Sequence, residues 1–483
     1  MKKLAYFTMA AVFLFSAVLV TNSLAWDQEG GPWHHKFCRN NSVSTPTVTR
    51  PAWTSDKIGD VSKNYPFFSP YADLADYGYI QEEFFIEGTA NRYTITDPLQ
   101  NATVKDGGHP YKTRIVVRRP VSPKDFNGTV LLEWQNVTAG YDLDAHWISW
   151  KHFMRAGYVW VGVSAQRVGV QQPVTGLKDW SPVRYGTLDV TAGGTITDDS
   201  LCYDIFSQAA QAVRCPKGID PMAGLDAKLV LAIGASQSAS RLTTYFNSIH
   251  PLQNVVDGFY LLVGRFFGNV LRTDLSTKVF QVVSEFETKN GAYLRIPDSA
   301  NRHTWEIAGA AHSGYDSYLY RKPIVLRDGI APSSIACTVS PVFSRNPTFY
   351  ALDAAYDHLV RWVTDGTPPP SAPLIQVSSV GGPGVPAVIV RDSYGNALGG
   401  LRLPAFDVPI GTNNGADNGG PAFCLLYGFF TPFDEATLQS LYPTHDAYVH
   451  AFKRATYQAL KAGYIVKEDA EEMIAEAIRA EIP

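Results

Sequence analysis

Apolar runs typical of buried strands alternate with helical segments along the chain, and this alternation limits the fold more than any other feature. The runs "YVWVGVSA" (158–165) and "KLVLAIG" (228–234) are almost wholly apolar, which is typical of parallel strands covered on both faces. Residues 200–214 and 352–366 carry apolar side chains at helical spacing. The pattern predicts an α/β fold with a doubly wound, mostly parallel sheet.

Segments outside this alternation divide the chain into further parts. Residues 26–78 are rich in Trp, Pro, Asn and Ser without periodicity, which predicts an irregular N-terminal arm. Residues 79–483 are predicted to form the α/β domain. Insertions near 167–200 and 367–430 are rich in Gly and Pro, and their length favours a cap or binding wall over simple loops.

The N-terminus has the layout of a secretory signal peptide over residues 1–25. Lys2 and Lys3 precede a long apolar run, and "SLA" (23–25) offers a small-residue cleavage site before Trp26. An uncleaved membrane anchor is the alternative. Cleavage is favoured, so the mature protein is expected to be secreted or periplasmic and to have no membrane partner.

The charge of the chain argues against a nucleic-acid partner. The 483 residues carry a formal net charge of −4, and the basic residues are scattered. The sequence "VVRRP" (116–120) is too short to form a basic patch.

The chain has five cysteines, and in the oxidising compartment expected for an exported protein they are expected to form disulfides. Cys202 and Cys215 are close in sequence and are predicted to form one disulfide. Cys337 and Cys424 bracket a long segment and are predicted to form the second, which leaves Cys38 over.

The stretch "GASQSAS" (234–240) directly follows a predicted buried strand and places Ser236 at a strand-to-helix turn. Such an elbow exposes a nucleophilic hydroxyl, and bulky side chains at 234 and 238 would collide with the neighbouring elements. The fifth position of the motif is usually Gly and is here Ser238, which is still small. A purely structural turn of small residues is the alternative.

Candidate partners for Ser236 follow it in the order acid, then histidine, which is the order found in serine hydrolases built on such sheets. "VFQVVSEFETKNG" carries Glu285 and Glu287 at a predicted strand end, and alternation places both on one side if the strand continues. Glu287 is favoured as the acid; Glu285 is the alternative, and would otherwise hold the loop by hydrogen bonds. His312 follows the last predicted strand among Gly and Ala and is the expected base.

Two backbone donors are expected to stabilise the oxyanion. The amide of Gln237 begins the helix after the elbow, and the loop after "TVLLEW" supplies Asn136 or Gln135. Asn136 is also compatible with a glycosylation sequon or a turn. No metal site is predicted, because HExxH and paired CxxC motifs are absent, and no cofactor is expected.

Several blocks of the sequence occur together in a known family. The chain resembles the "alpha/beta hydrolase domain" family, a group of largely uncharacterised and often secreted bacterial proteins, over roughly residues 79–465. The resemblance rests on "FNGTVLLEWQNVTAG", "GYVWVGVSAQRVGV", "GASQSASRL", "PDSANRHTWEIAGAAH", "RDSYGNALGGLRLPAFDVP" and "GFFTPFDEATLQSLYPTHDAYV".

This resemblance implies an α/β-hydrolase fold and a serine-hydrolase mechanism with Ser236 as nucleophile and His312 as base. The acid of the family falls in "SEFE", where Asp is common at the second acid and this chain has Glu287. The family does not fix a substrate.

The expected function is a secreted serine hydrolase that cleaves small-molecule or polymeric carboxylic esters through an acyl-enzyme. A lactonase or polyester depolymerase would use the same residues. A non-catalytic binding protein on a hydrolase scaffold is the third hypothesis. The aromatic-rich insertions favour a bulky or aromatic substrate.

Overall fold

A ten-stranded sheet forms the centre of the computed structural model, which describes residues 42–52, 54–265 and 270–482. Its order is β10-β9-β8-β7-β4-β5-β3-β2-β1-β6. Six neighbouring pairs are parallel and three antiparallel, so the predicted doubly wound, mostly parallel sheet is confirmed. The strands are β1 Thr47–Thr49, β2 Tyr79–Thr94, β3 Thr103–Pro120, β4 Thr129–Trp134, β5 Val159–Val163, β6 Lys217–Gly218, β7 Leu229–Ala235, β8 Gly258–Leu262, β9 Lys278–Val283 and β10 Arg302–Glu306.

Fourteen α-helices are found among the described residues. They are α1 Trp150–Arg155, α2 Arg167–Gln171, α3 Leu177–Trp180, α4 Pro182–Tyr185, α5 Cys202–Arg214, α6 Gln237–Thr244, α7 His250–Gln253, α8 Glu285–Gly291, α9 Tyr315–Arg327, α10 Phe349–Asp365, α11 Pro404–Asp407, α12 Glu435–Leu441, α13 His445–Ala462 and α14 Lys467–Arg479. Gly463 ends α13 with φ 76°, at the position where the sequence separates two helices.

Helices cover both faces of the sheet. On one face Phe206 of α5 stacks on Trp134 of β4, with ring centroids 4.8 Å apart. On the other, Tyr356 of α10 stacks on Tyr260 of β8 at 4.7 Å. The strand register places Trp134 and Tyr260 one residue out of step, so their side chains point to opposite faces. This three-layer arrangement explains the wholly apolar strands.

The first three strands lie side by side in the sheet. The strand β2 is continuous over sixteen residues and pairs with β3 along its length. In the part of the predicted irregular arm that the structure describes, one strand is found, β1, which pairs with β2 and β6.

The insertion near 367–430 contains two small antiparallel hairpins. In them β11 Val377–Ser379 pairs with β12 Val388–Ile389, and β13 Gly411–Asn414 pairs with β14 Phe429–Pro432.

The cysteine pairing was predicted in part. Cys337 and Cys424 form a disulfide with Cα atoms 5.4 Å apart. The predicted bond between Cys202 and Cys215 is wrong: Cys202 is a free, buried thiol inside α5, whereas Cys215 is disulfide-bonded. The prediction relied on the closeness of the two cysteines in sequence. In the fold Cys202 begins α5 and Cys215 follows its end, so the length of the whole helix separates them. Cys38 lies outside the described residues.

The predicted signal peptide, residues 1–25, also lies outside the described residues. Among the helices that the structure describes, none has both the length and the apolar character needed to cross a membrane.

Candidate active site

Ser236 lies between β7 and α6 in a backbone conformation that non-glycine residues rarely adopt, with φ 57° and ψ −120°. Such strain costs about 1–3 kcal/mol and persists only where the surroundings enforce it. A Cβ at Gly234 would approach the Leu242 side chain to 2.9 Å. The Ser238 hydroxyl is buried and hydrogen-bonds both the N–H and the C=O of Ala235, at 2.9 Å each. The small residues of "GASQS" thus build a tight elbow.

His312 contacts the hydroxyl of this elbow. Its Nε2 lies 2.8 Å from Ser236 Oγ, and its Nδ1 lies 2.5 Å from Glu287 Oε1. A carboxylate on Nδ1 fixes the tautomer that leaves Nε2 to accept the serine proton. The loop before His312 passes very close to the insertion, since a Cβ at Gly309 (φ +73°) would lie 2.2 Å from the Phe406 ring. This close approach accounts for the small residues before His312.

Glu287 is fully buried in the first turn of α8. Its second carboxylate oxygen, Oε2, accepts hydrogen bonds from the backbone N–H of Ser284 at 3.0 Å and from the Ser284 hydroxyl at 2.6 Å. Burial acts to raise the pKa of Glu287, but the His312 charge and these hydrogen bonds outweigh it and lower the pKa overall. The carboxylate is therefore held ionised beside the imidazole.

Glu285 points elsewhere and joins separate segments. Its oxygens accept from the N–H of Gly309 at 2.6 Å and of Gly415 at 3.2 Å, and Oε2 lies 2.9 Å from the Arg391 guanidinium. The condition for placing both acids on one side, a strand that continues past them, is not met. The strand ends at Val283, and two residues on a helix differ in direction by about 200°.

The predicted oxyanion donors divide into one that fits and two that do not. The N–H of Gln237, first in α6, donates to no acceptor within the described part of the chain. The N–H of Asn136 already donates to Leu143 O at 3.2 Å, and that of Gln135 donates to Val163 O at 3.3 Å. These bonds leave no hydrogen for an oxyanion, so Asn136 and Gln135 are wrong as backbone donors.

Asn136 instead organises its loop through its side chain. Its Nδ2 donates to Ala235 O at 2.9 Å, next to the elbow, and its Oδ1 accepts from the Thr138 N–H at 2.8 Å. Being 4% exposed, it is not placed as a glycan acceptor. The next residue, Val137, is buried and lies between two residues that line the cavity described below. Its N–H donates to no acceptor among the described residues. No local sequence signal indicates Val137, because backbone pairing is a tertiary property.

A cavity of about 180 Å³ opens beside Ser236 and His312. An apolar cavity of about 150 Å³ holds benzene, so this one fits a group of the size of a substituted ring. One face of α9, which directly follows the His312 loop, forms a wall through Ser317, Tyr318, Arg321, Lys322 and Val325.

The insertions contribute unequally to this cavity. Phe423, Leu426 and Tyr427 of the 367–430 insertion line it, whereas no residue of 167–200 does. The wall formed by α9 is not among the sequence-based predictions, although the i, i+1, i+4, i+5, i+8 spacing of its cavity side chains could have indicated it. Within the described ranges, no group of three metal-ligating side chains is found.

Comparisons with known proteins place this geometry in context. Similar solved structures include a prolyl endopeptidase with 12% identity and a TM-score of 0.28. The matched region covers 52% of this chain and 38% of the endopeptidase chain. A lidless serine hydrolase from Xanthomonas campestris has 10% identity and TM-score 0.28, with 45% of this chain and 85% of that one covered. An esterase from Pyrococcus furiosus has 7% identity and a TM-score of 0.28, with 50% of this chain and 88% of that one covered. These weak similarities carry no functional information.

No curated protein matches the chain significantly. Residues 48–475 match the model of a family described as "Alpha/beta hydrolase domain", which is most of the chain. The match confirms the resemblance found in the sequence blocks and agrees with the mostly parallel sheet. The chain belongs to the alpha/beta hydrolase domain family.

Proposed function

We propose that this protein is a serine hydrolase that cleaves carboxylic esters through an acyl-enzyme on Ser236. One observation carries the proposal: a continuous hydrogen-bonded chain runs from Ser236 Oγ through His312 to Glu287, with links of 2.8 and 2.5 Å. A nucleophile, a base and an orienting acid within hydrogen-bond reach are the arrangement that activates a serine. The strained elbow supports the same conclusion.

The reaction proceeds in two halves. Ser236 Oγ attacks the ester carbonyl carbon while His312 Nε2 takes its proton, and the tetrahedral intermediate collapses as His312 protonates the leaving alkoxide. A water, deprotonated by the same Nε2, then attacks the acyl-enzyme, and Ser236 leaves with the returned proton. Glu287 holds the imidazole in the correct tautomer and stabilises the imidazolium.

The oxyanion is assigned to two backbone N–H groups, those of Gln237 and Val137. Each is without an acceptor within the described ranges, and they flank the elbow and the Asn136 loop respectively. Loss of one oxyanion donor typically costs about 2.7–4 kcal/mol of transition-state stabilisation. The side chain of Asn136 is assigned a positioning role, because it ties the Val137 loop to Ala235 O.

Hydrolysis of short p-nitrophenyl esters by purified variants tests the proposal. We expect Ser236→Ala to lower kcat by about 10⁴- to 10⁶-fold. Ser240→Ala, the same substitution one turn along α6, is the matched control and should remain within a few-fold of the original enzyme. Full activity in Ser236→Ala would overturn the proposal and favour a non-catalytic role for the elbow. Lactones and polyesters belong in the same screen, since their carbonyls present the same chemistry to Ser236.

We also propose that the protein is exported, with residues 1–25 removed. The Cys337–Cys424 disulfide supports an oxidising compartment. Sequencing the N-terminus of the protein recovered outside the cytoplasm should find Trp26 first. Recovery of a protein that begins at Met1 from the membrane fraction would contradict this.

A further inference from the structure

The cavity beside Ser236 contains a cation that forms no ion pair with any residue the structure describes. Arg321 of α9 lines the cavity and is half-buried. Among the described residues it makes no ion pair, hydrogen bond or ring contact, although its guanidinium carries five donors. Other buried arginines of this chain are paired, as in Arg114–Glu83 and Arg265–Glu306. Arg321, half-buried in the cavity, lacks the acidic partner that these fully buried arginines have.

One buried acid acts on Arg321 from outside the cavity. Burial raises the pKa of Asp144, and the charges of Arg118 and then Arg321 act in the opposite direction, but Asp144 forms its ion pair with Arg118, at 2.6 Å. The cavity side chains around Arg321 are mainly aromatic. Burial raises the pKa of the Tyr141 and Tyr427 phenols, which line the cavity, and the Arg321 charge acts on both in the opposite direction. The Phe343 ring lies 4.5 Å from that of Tyr427 and also lines the cavity. A planar apolar wall with a guanidinium beside it suits a ligand that has both an apolar body and a negative group.

The other two charged side chains of the cavity, Lys322 and Asp316, do not neutralise the positive charge of Arg321. Lys322, the next residue, is exposed, with Nζ 5.3 Å from the centroid of the Tyr318 ring. Asp316 is the one acid among the described residues that line the cavity. Burial, and then the charge of Glu476 on α14, raise the pKa of Asp316 to about 6. The charge that acts on Asp316 therefore comes from α14 and not from Arg321. Its carboxylate makes no ion pair with Arg321.

We propose that Arg321 is a specificity-determining residue that binds a carboxylate on the substrate, so that the preferred esters are anionic. The inference rests on the proposed function. Arg321 lies six residues after Tyr315, about 9 Å along the helix from its start near His312. The carboxylate is thus separated by several bonds from the carbonyl that Ser236 attacks, as in half-esters of dicarboxylic acids.

A matched substrate pair tests this assignment. Mono-p-nitrophenyl glutarate and p-nitrophenyl valerate have five-carbon acyl chains and differ in the terminal carboxylate. We expect the glutarate to be preferred in kcat/KM, and Arg321→Gln to reduce that preference about 10- to 100-fold, mainly through KM. Arg454→Gln on α13 removes the same charge from an exposed arginine outside the cavity and should leave the preference unchanged.

The possible results separate the two proposals. An equal ratio of the two substrates in the original enzyme and in Arg321→Gln, with both hydrolysed, would overturn the Arg321 assignment and leave the serine mechanism intact. If neither ester is cleaved, benzoate binding measured by calorimetry still tests the anion site. Binding that is lost in Arg321→Gln and kept in Arg454→Gln supports the assignment. Equal binding, or none to the original protein, overturns it.

Discussion

Replacing each of the two buried acids of α8 by glutamine separates catalysis from stability. Glu287 accepts from His312 Nδ1, from the Ser284 N–H and from the Ser284 hydroxyl. Glutamine keeps the size and one acceptor oxygen, but it removes the charge that stabilises the imidazolium. If its amide group faces His312, the imidazole is also held in the wrong tautomer. The same loss in a serine triad lowers kcat about 10⁴-fold, equivalent to about 5.5 kcal/mol.

The stability of Glu287→Gln should change little, because glutamine also completes the capping box with Ser284. Glu285→Gln should lower the stability of the protein and leave kcat much less affected. Glu285 accepts from two backbone N–H groups and pairs with Arg391, so glutamine leaves a donor of the buried cluster unpaired. Breaking a buried pair costs about 3–5 kcal/mol. The partial exposure of Arg391 and its second partner, Asp417 at 3.0 Å, favour the lower value.

Two measurements on the purified variants decide the matter. Urea unfolding followed by circular dichroism gives the free energy of unfolding, and p-nitrophenyl ester hydrolysis well below the transition gives kcat. We expect Glu285→Gln to be destabilised by about 3 kcal/mol with kcat within about tenfold of the original. A folded Glu285→Gln with the larger loss of kcat would show that the roles of the two acids are reversed.

Three further predictions concern groups around the site. Burial, and then the charge of Asp144, raise the pKa of Glu133 to about 8 from an ordinary 4.5. The stability that its protonated form contributes is complete below pH 4.5 and is lost as pH rises through 8, a loss of about 5 kcal/mol. Urea unfolding should therefore show a smaller decline of stability over this pH range for Glu133→Gln than for the original protein. Cys337→Ser should cost about 2–4 kcal/mol in denaturant unfolding and raise KM, because Cys424 adjoins cavity residues; an unchanged KM would contradict this. Asn136→Ala should lower kcat at least tenfold with nearly unchanged KM, and a change in KM alone would refute its positioning role.

Local patterns sufficed to predict the elements that carry the site. The apolar run before Ser236 and the small residues around it are both short-range consequences of a buried strand and a sharp turn. His312 was identified because it directly follows the last strand, and the preference for Glu287 agrees with its contact to His312.

Features that depend on tertiary pairing could not be predicted in the same way. The amide of Asn136 is consumed by Leu143, a partner seven residues away whose approach depends on the folded loop. Cys202 was paired with Cys215 from proximity alone, and the wall that α9 provides was not identified. For the Asn136 amide and the cysteines, the deciding contact involves a partner that no local periodicity specifies.

Covalent labelling of Ser236 is the most direct test of the central claim that this serine is an activated nucleophile. We expect a fluorophosphonate to modify the protein at one equivalent, to stop ester hydrolysis in proportion, and to be located on Ser236 by peptide mass spectrometry. Ser238 and Ser240 should stay unlabelled, because the Ser238 hydroxyl is bonded to Ala235 and Ser240 lies a turn further along α6. A label on another residue, or full hydrolysis in a protein whose Ser236 is quantitatively modified, would contradict the account.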